Sequence, residues 1–528
     1  MQIIVPMSGF GERFRRAGYT VPKPLIEVDG KPIIQHVVEM YPGESDFTFI
    51  CNQDHLDKAE YKMREVLERI CPLGRIIGIT PHKLGPVHAV QQALEVLKSD
   101  EPTIVNYCDF SCYWNYADFK AKVQNSGCDG SIPSYRGFHP HTLWSNYYAY
   151  VSQKNMWAND IQEKKSFTND PRREFASSGT YYFKSAKLME KYFNRCIEDD
   201  LKVNDEYYVS MVYKPMIDDG LAVLVYELEF FMQWGVPSDL EEYKYWSNIF
   251  KTINNQQQRV HISGALLLPM AGLGSRFKKE GYKLAKPLIP INGKPMATQA
   301  LSTLPKTETS IFILRTDLPQ VSNLVSVLQK EQSEADFYML DHVTDGQATT
   351  CIKGGKSISD DVAVTIAACD NAMLYDANAF KAMFDDETVD VIVWGARGYP
   401  GAARNPEAYG WIKVNDDNGK IQNVAVKTPL KNPSNDPIVV GSFTFKRMSD
   451  FRHCVNRMKD REGLVNGEYF IDTAINDAIA LGLNCKIFYI DHYVCWGTPN
   501  DLKTFQYWQS CFNKWNSHPY SLTTFTKE

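Results

Sequence analysis

Short apolar runs alternate with stretches of helical spacing along the whole chain. The opening "MQIIVPM" and the runs "FTFICN" (47–52), "PTIVNY" (102–107), "ALLLPM" (265–270), "SIFILR" (310–315) and "VAVTIAA" (362–368) are short, continuous and rich in β-branched or aromatic residues. They predict buried strands. "PVHAVQQALEVLKS" (86–99) and "YFIDTAINDAIALG" (469–482) repeat apolar positions at three and four and predict helices. Strands that alternate with helices predict an α/β fold with a mainly parallel sheet covered by helices, and ligands at the carboxyl ends of the strands.

The same pattern is written twice. "GFGERF" at Gly9 returns as "GLGSRF" at Gly272, and Arg13 and Lys23 return 263 positions later as Arg276 and Lys286. "CDF" at Cys108 answers "CDN" at Cys369, and Gly85 answers Gly346, each 261 positions on. Glu206 and Glu468, like "WGVPSDL" at Trp234 and "WGTPNDL" at Trp496, lie 262 apart. So little drift over so long an offset describes two homologous domains with few insertions. A polar Gln/Asn-rich stretch, "NNQQQRVHISG" (254–264), follows an aromatic helical segment and precedes a new strand, which sets the expected domains at 1–255 and 262–528. The aromatic segments that close each copy, "EEYKYWSNIF" and "KTFQYWQSCF", read as amphipathic helices that pack domains or subunits.

The Gly-x-Gly turn is where chemistry enters. After a strand and before a helix, such glycines let backbone N–H groups approach phosphate oxygens. A dinucleotide fingerprint would need a third glycine where Phe14 and Phe277 stand, and a P-loop would need GxxxxGK[ST], which neither copy has. A plain strand–helix turn would need nothing more. The full set GxGxRF–x₃–GY–x₃–KPLI–x₃–GKP, present twice, asks for more than a turn.

That set resembles the sugar-1-phosphate nucleotidylyltransferases, one copy in each half. The resemblance implies two tandem Rossmann-like nucleotidyltransferase domains and an enzyme that transfers NMP from an NTP to a phosphorylated small acceptor with release of pyrophosphate. It implies that the loop holds a triphosphate through Gly9, Gly11, Arg13 and Lys23 in the first half, and through Gly272, Gly274, Arg276 and Lys286 in the second. The family's first metal carboxylate falls on Asp109 and Asp370, which implies Mg²⁺ as cofactor; as bare residues, both could equally cap a following helix. Its second carboxylate falls on Gln233 and Cys495, a departure in both halves. The nucleotide side extends to Gly85, Gly346 and Gln347, the last readable either as a reader of the base edge or as a helix-start residue. The acceptor side falls on Glu163, Lys164, Gly179 and Glu206, and on Lys427, Gly441 and Glu468, with Val426 where the second copy should have its Glu. "FHPH" (His139, His141) could pair on a metal or form a polar loop bordering the acceptor pocket.

The chemistry asks for the same groups. A phosphate oxygen that attacks the α-phosphate of an NTP brings two anions together, so the protein must align them and neutralise charge with cations, backbone donors and a metal. Variants left open are one catalytic half beside a binding or scaffold half, and cytidylyl transfer to a non-sugar phosphate. A glycosyltransferase would want a DxD motif that "CDF" and "CDN" do not supply. A non-enzymatic nucleotide-sugar sensor would bind without turnover.

Composition adds exclusions. At 528 residues with 44% hydrophobic and 23% charged residues, the chain is ordinary globular protein, too long for one core. A net charge of −6 with no basic run argues against a nucleic-acid partner. No run reaches the ~20 apolar residues of a membrane span, and "MQIIVPM" lacks the basic start of a signal peptide. With twelve scattered cysteines and no CxxC pair, the expectation is a cytoplasmic protein with reduced thiols. The expected partners are an NTP and a phosphorylated sugar or similar small molecule, and a homo-oligomer is left open.

Overall fold

The computed structural model describes residues 1–254 and 259–522. Two compact units divide it, one formed by Met1–Asn248 with Tyr507–Glu528 and the other by Ile249–Gln506. The sequence places the domain boundary in 254–264, and residues 255–258 of that stretch, with the expected end of the first domain at 255, lie outside the described residues.

In the first unit the strand Gln2–Met7 is fully buried and pairs in parallel with Phe47–Asn52 on one side and Thr103–Asn106 on the other. Arg75–Ile79 extends this parallel group by pairing with Phe47–Asn52. Beyond Thr103–Asn106 the sheet changes character: Thr180–Phe183 joins antiparallel, and most later pairings are antiparallel too. The second unit repeats this, with Ala265–Pro269 between Thr309–Arg315 and Val364–Ile366 in parallel, then Ile438–Phe445 antiparallel. Each unit is thus an α/β domain with a mixed sheet. The parallel expectation describes its amino-terminal part, where the apolar runs are continuous because helices cover both faces.

Most expected elements form. The run at 362–368 yields only the short strand Val364–Ile366, and the helix expected over 86–99 stops at Gln91. There Ala93 leaves helical geometry (φ −121°, ψ 8°) and Leu94–Val96 form a single 3₁₀ turn. The break lets Leu94 and Leu97 pack onto the core instead of following the helical stripe. The carboxyl-terminal helix Pro499–Lys514 begins with a reciprocal cap: Thr498 Oγ1 accepts from the Asp501 N–H (3.2 Å), and Asp501 Oδ2 accepts from the Thr498 N–H (3.0 Å). Proline at the first helical position completes the start.

The aromatic segments are helical, as expected, over Pro237–Thr252 and Pro499–Lys514. Within the first unit, Tyr507 is anchored to the strand Phe230–Gln233: its hydroxyl donates to the Phe231 carbonyl (2.7 Å) and accepts from the Phe231 N–H (3.1 Å). "FHPH" is neither a metal pair nor a polar loop. His139 and His141 are buried among Tyr135, Tyr148, Phe231 and Tyr507, and His141 Nε2 lies 2.9 Å from the Tyr135 hydroxyl. Burial lowers both imidazoles' affinity for protons, that of His139 to about 3, so they stay neutral.

One backbone device recurs at the edge of each site. Gly85 (φ +90°) and Gly346 (φ +144°) lie against the segments that carry the two glutamates. Tyr207 donates its N–H to the Leu84 carbonyl and accepts from the Val87 N–H; Tyr469 does the same with Asp345 and Ala348. A Cβ on Gly85 would lie 2.7 Å from the Tyr207 backbone, and one on Gly346 2.5 Å from that of Tyr469. Close approach and positive φ together therefore demand glycine. Alanine at either position is expected to cost about 3 kcal/mol, read as a fall in the urea midpoint of the affected unit; a change below about 0.5 kcal/mol would contradict the contact.

Candidate functional site

The Gly-x-Gly turn takes the same shape twice. Gly11 (φ 62°, ψ 31°) and Gly274 (φ 62°, ψ 28°) are left-handed and lead into the five-residue helices Glu12–Arg16 and Ser275–Lys279. Helices this short carry little dipole, so the loop's own N–H groups are its main anion donors. At Gly9 and Gly272 a Cβ would meet no protein atom within 4 Å. Protein packing therefore does not require glycine there.

Just beyond the strands Thr103–Asn106 and Val364–Ile366, the chain brings an opposite charge to the loop. Lys23 Nζ donates to Asp109 Oδ2 at 2.8 Å; Lys286 donates to Asp370 and, at 3.0 Å, to the Gly497 carbonyl. Burial alone would lower the affinity of both lysines for protons, but the facing carboxylates more than offset it and hold both above the ordinary value. Asp109 and Asp370 do not cap the next helix; Asn115 and Asp376 do. Arg13 and Arg276 are exposed and have no carboxylate partner among the described residues.

In the first unit a cavity of about 660 Å³ is lined by Gly11, Arg13, Lys23, Asp109, Glu163, Lys164, Gly179 and Glu206. Gly9 and Gly85 line an adjoining cavity of about 320 Å³ that shares Gly11, Lys23, Asp109 and Glu206. All the residues nominated by sequence in this half therefore come together. The sequence reading missed Tyr208 and Ser210, which organise the side it assigns to the acceptor. Lys164 Nζ donates to the Tyr208 hydroxyl (2.6 Å) and sits 4.4 Å from its ring centre, and that hydroxyl donates in turn to Glu206. Ser210 Oγ donates to Glu163 Oε2 at 2.6 Å; burial still leaves the Glu163 carboxyl above its ordinary value.

In the second unit Gly272, Gly274, Arg276, Lys286, Gly346, Gln347 and Glu468 line a cavity of about 450 Å³. Gln347 lines this cavity and is the first residue of the helix Gln347–Gly354. Asp370, Lys427 and Gly441 do not line this cavity. Lys427 nevertheless repeats Lys164: both are left-handed (φ 55° and 58°), and both donate their N–H at 2.9 Å to a tyrosine carbonyl, Tyr409 and Tyr148 respectively. Lys427 Nζ lies 4.6 Å from the Phe470 ring centre, as Lys164 does over Tyr208.

Where the family's second metal carboxylate would stand, Gln233 and Cys495 occupy strands paired beside the aspartates, opposite Phe110 and Asn371. Asp109 Oδ2 and Gln233 Nε2 flank Gly235, 3.1 and 3.3 Å from where its Cβ would be. A carboxylate facing an amide, which can also present its oxygen, fits a hard cation that takes its remaining ligands from phosphate and water. Around Gly497 the neighbours are Cys495 Sγ (3.3 Å) and Asp370 Oδ2 (3.5 Å). Burial keeps the Cys495 thiol protonated, and Asp501 accepts from Thr498, so the carboxylate placed to meet such a cation there is Asp370, which also accepts from Lys286. All twelve cysteines are unpaired, and no helix among the described residues is long and apolar enough to cross a membrane.

Residues 3–169 match the family model of the MobA-like NTP transferase domain, and residues 266–496 match that of the nucleotidyl transferases. Curated relatives include mannose-1-phosphate guanyltransferase beta-A of Xenopus laevis, 24% identical over 243 residues, 45% of this chain and 62% of the relative. The mannose-1-phosphate guanylyltransferase catalytic subunit beta of Danio rerio is 31% identical over 136 residues, 25% of this chain and 37% of the relative. The matches thus span less than two thirds of these relatives' length. Among solved structures, a nucleoside-diphosphate-sugar pyrophosphorylase from Vibrio cholerae RC9 aligns at 20% identity and a TM-score of 0.37, covering 46% of this chain and 98% of that one.

One carboxyl in the second unit stands out energetically. Asp472, half-buried at the start of the helix Ile471–Ala480, is pushed up to about 6 by burial, against a partial pull from a backbone hydrogen bond and a smaller one from Lys427. Its folded-state value exceeds the unfolded 3.8, so the folded chain holds the extra proton between these values and loses stability as pH rises through that window. Asp472→Asn is expected to raise the urea midpoint at pH 7 and to flatten its slope between pH 4 and 6. An unchanged slope would contradict this.

Proposed function

Because the chain belongs to the nucleotidyltransferases, with two such domains in tandem, we propose that it transfers NMP from an NTP to a sugar-1-phosphate, giving a nucleotide-sugar and pyrophosphate. The observation that carries this reading is the shared cavity of the first unit. There the Gly11–Arg13 loop and the Lys23–Asp109 pair stand at one end and the Glu163–Lys164–Glu206 group at the other. Such a cavity can hold a triphosphate against a phosphorylated acceptor.

Each group then has a task. Backbone N–H groups of the loop and the forked guanidinium of Arg13 bind the β- and γ-phosphates. Lys23, a point charge, neutralises the α-phosphate as negative charge builds on it. Lys164 holds the acceptor's phosphate with one oxygen directed at the α-phosphorus, and Glu163 and Glu206 accept from the acceptor's hydroxyls. A bond forms from that oxygen to the α-phosphorus while the bond to the bridging oxygen breaks, and pyrophosphate leaves with its charge spread over Arg13 and the loop. Asp109 with Gln233, and Asp370 in the second unit, are the residues that would hold Mg²⁺. When bound, the ion supplies charge neutralisation across the phosphates. The second unit would use Arg276 and Lys286 in the same way, with Gln347 facing the base.

The mannose-1-phosphate relatives make a hexose 1-phosphate the first acceptor to test, and the product would serve nucleotide-sugar and polysaccharide synthesis in the cytoplasm. Pyrophosphate release with a panel of NTPs and hexose 1-phosphates tests the reading, and none from any pair would overturn it. Arg13→Ala and Arg276→Ala, made separately, are each expected to lower turnover of their own half by about 10²–10³-fold, the usual cost of removing a donor that stabilises transition-state charge. If neither lowers it, the triphosphate assignment is wrong. EDTA is expected to abolish release and added Mg²⁺ to restore it; activity unaffected by EDTA would exclude the metal role.

A further inference from the structure

The two acceptor sides differ by three linked exchanges. In the first unit Ala149 and Glu163 face each other on paired strands, and Ser210 on the neighbouring helix Val209–Asp218 donates to Glu163. In the second unit the matching strand pair is Gly410 and Val426, and Ser210's counterpart, 262 positions on, is Asp472. The strand has lost its carboxylate, the helix has gained one, and the residue opposite has lost its side chain. These changes fit one another sterically. A Cβ on Gly410 would lie 2.2 Å from Asp472 Oδ2, so the carboxylate occupies space that the methyl of Ala149 takes up in the first unit.

We infer that Asp472 is the acceptor-binding carboxylate of the second unit, supplied from a helix in place of the strand glutamate, and that with Lys427 it binds a phosphorylated, hydroxyl-bearing small molecule. This rests on the nucleotidyltransferase reading for the site as a whole. Lys427 follows Val426 directly and keeps the left-handed backbone and carbonyl anchor of Lys164, so the cation of the pair has not moved. Gly410, against which Asp472 Oδ2 lies, pairs with Val426, the residue before Lys427, so the two charges share one locality. Among the described residues no other side chain donates a hydrogen bond to the Asp472 carboxylate, whereas Glu163 accepts one from Ser210. Beyond the hydrogen bond from its own backbone N–H, its acceptor capacity can serve ligand hydroxyls, and the second unit gains a shorter carboxylate that reaches the space beside Gly410. A sugar hydroxyl satisfied by Glu163 in one half would be met from the helix side in the other, so the two halves select differently substituted acceptors.

The test is calorimetric titration of the full chain carrying Lys164→Ala, which removes the phosphate-binding cation of the first half. The probes are α-D-mannose 1-phosphate, α-D-glucose 1-phosphate and inorganic phosphate. Asp472→Asn is expected to weaken the preferred sugar phosphate at least tenfold and to leave inorganic phosphate, which needs only Lys427, within twofold. The triple change Gly410→Ala, Val426→Glu, Asp472→Ser, which rebuilds the first unit's arrangement, is expected to restore sugar-phosphate binding and guards against misfolding as the cause of the loss. Unchanged binding in Asp472→Asn, equal losses for sugar phosphate and inorganic phosphate, or no sugar-phosphate binding by the parent would each overturn the inference. Asp472-dependent binding in a chain that releases no pyrophosphate would sustain it while overturning the proposed activity.

Discussion

Each unit is organised around one ammonium–carboxylate contact. Lys23 to Asp109, and Lys286 to Asp370, tie the Gly-rich turn to the end of the central parallel strands. Removing two charges from water is costly, and their attraction repays it only at close range with good geometry. The contact is therefore a poor choice for stability alone. It makes sense where both charges have a second use: the ammonium toward phosphate and the carboxylate toward a hard cation. Around it, the left-handed Gly11 and Gly274 set the turn, and the close approach of Gly85 to Tyr207 and of Gly346 to Tyr469 brings Glu206 and Glu468 to the same site.

Duplication turns the chain into its own comparison. What both halves keep is the phosphate side: the turn, the arginine, the lysine–aspartate pair and the glycine–tyrosine backbone contact. What they change is the acceptor side, where Tyr208 becomes Phe470, Glu163 becomes Val426 and Ser210 becomes Asp472. Phosphate chemistry is common to any nucleotide, whereas hydroxyl geometry belongs to one acceptor. Divergence at hydroxyl-facing groups is what two related transfers on different acceptors would require, and it is joined by the exchanges of Pro86 for Gln347 and Gln233 for Cys495.

Much of this was legible in sequence because the repeat holds its register. Arg13, Lys23, Asp109 and Glu206 could each be nominated by having a twin, and in the first unit all four line one cavity. Other features escaped for physical reasons. The antiparallel part of each sheet leaves no periodic signature that separates it from parallel strands. The histidines of "FHPH" read as polar, but aromatic packing buries them as neutral rings. The helix at Pro86–Gln91 ended early because side-chain packing of Leu94 and Leu97 outweighed their helical spacing. Asp472 was invisible because its role passed from a strand to a helix 46 positions further on, which only the fold brings together.

On the proposed reading, each half holds a nucleoside triphosphate on its own lysine–aspartate pair. Equilibrium dialysis of the full chain with Mg²⁺ and radiolabelled GTP, CTP, UTP, dTTP or ATP measures this directly. Two triphosphates are expected to bind per chain at saturation of the preferred nucleotide or nucleotides, falling to one in either Lys23→Ala or Lys286→Ala and to none in the double variant. A stoichiometry of one in the unaltered chain, or two that survives both substitutions, would contradict it.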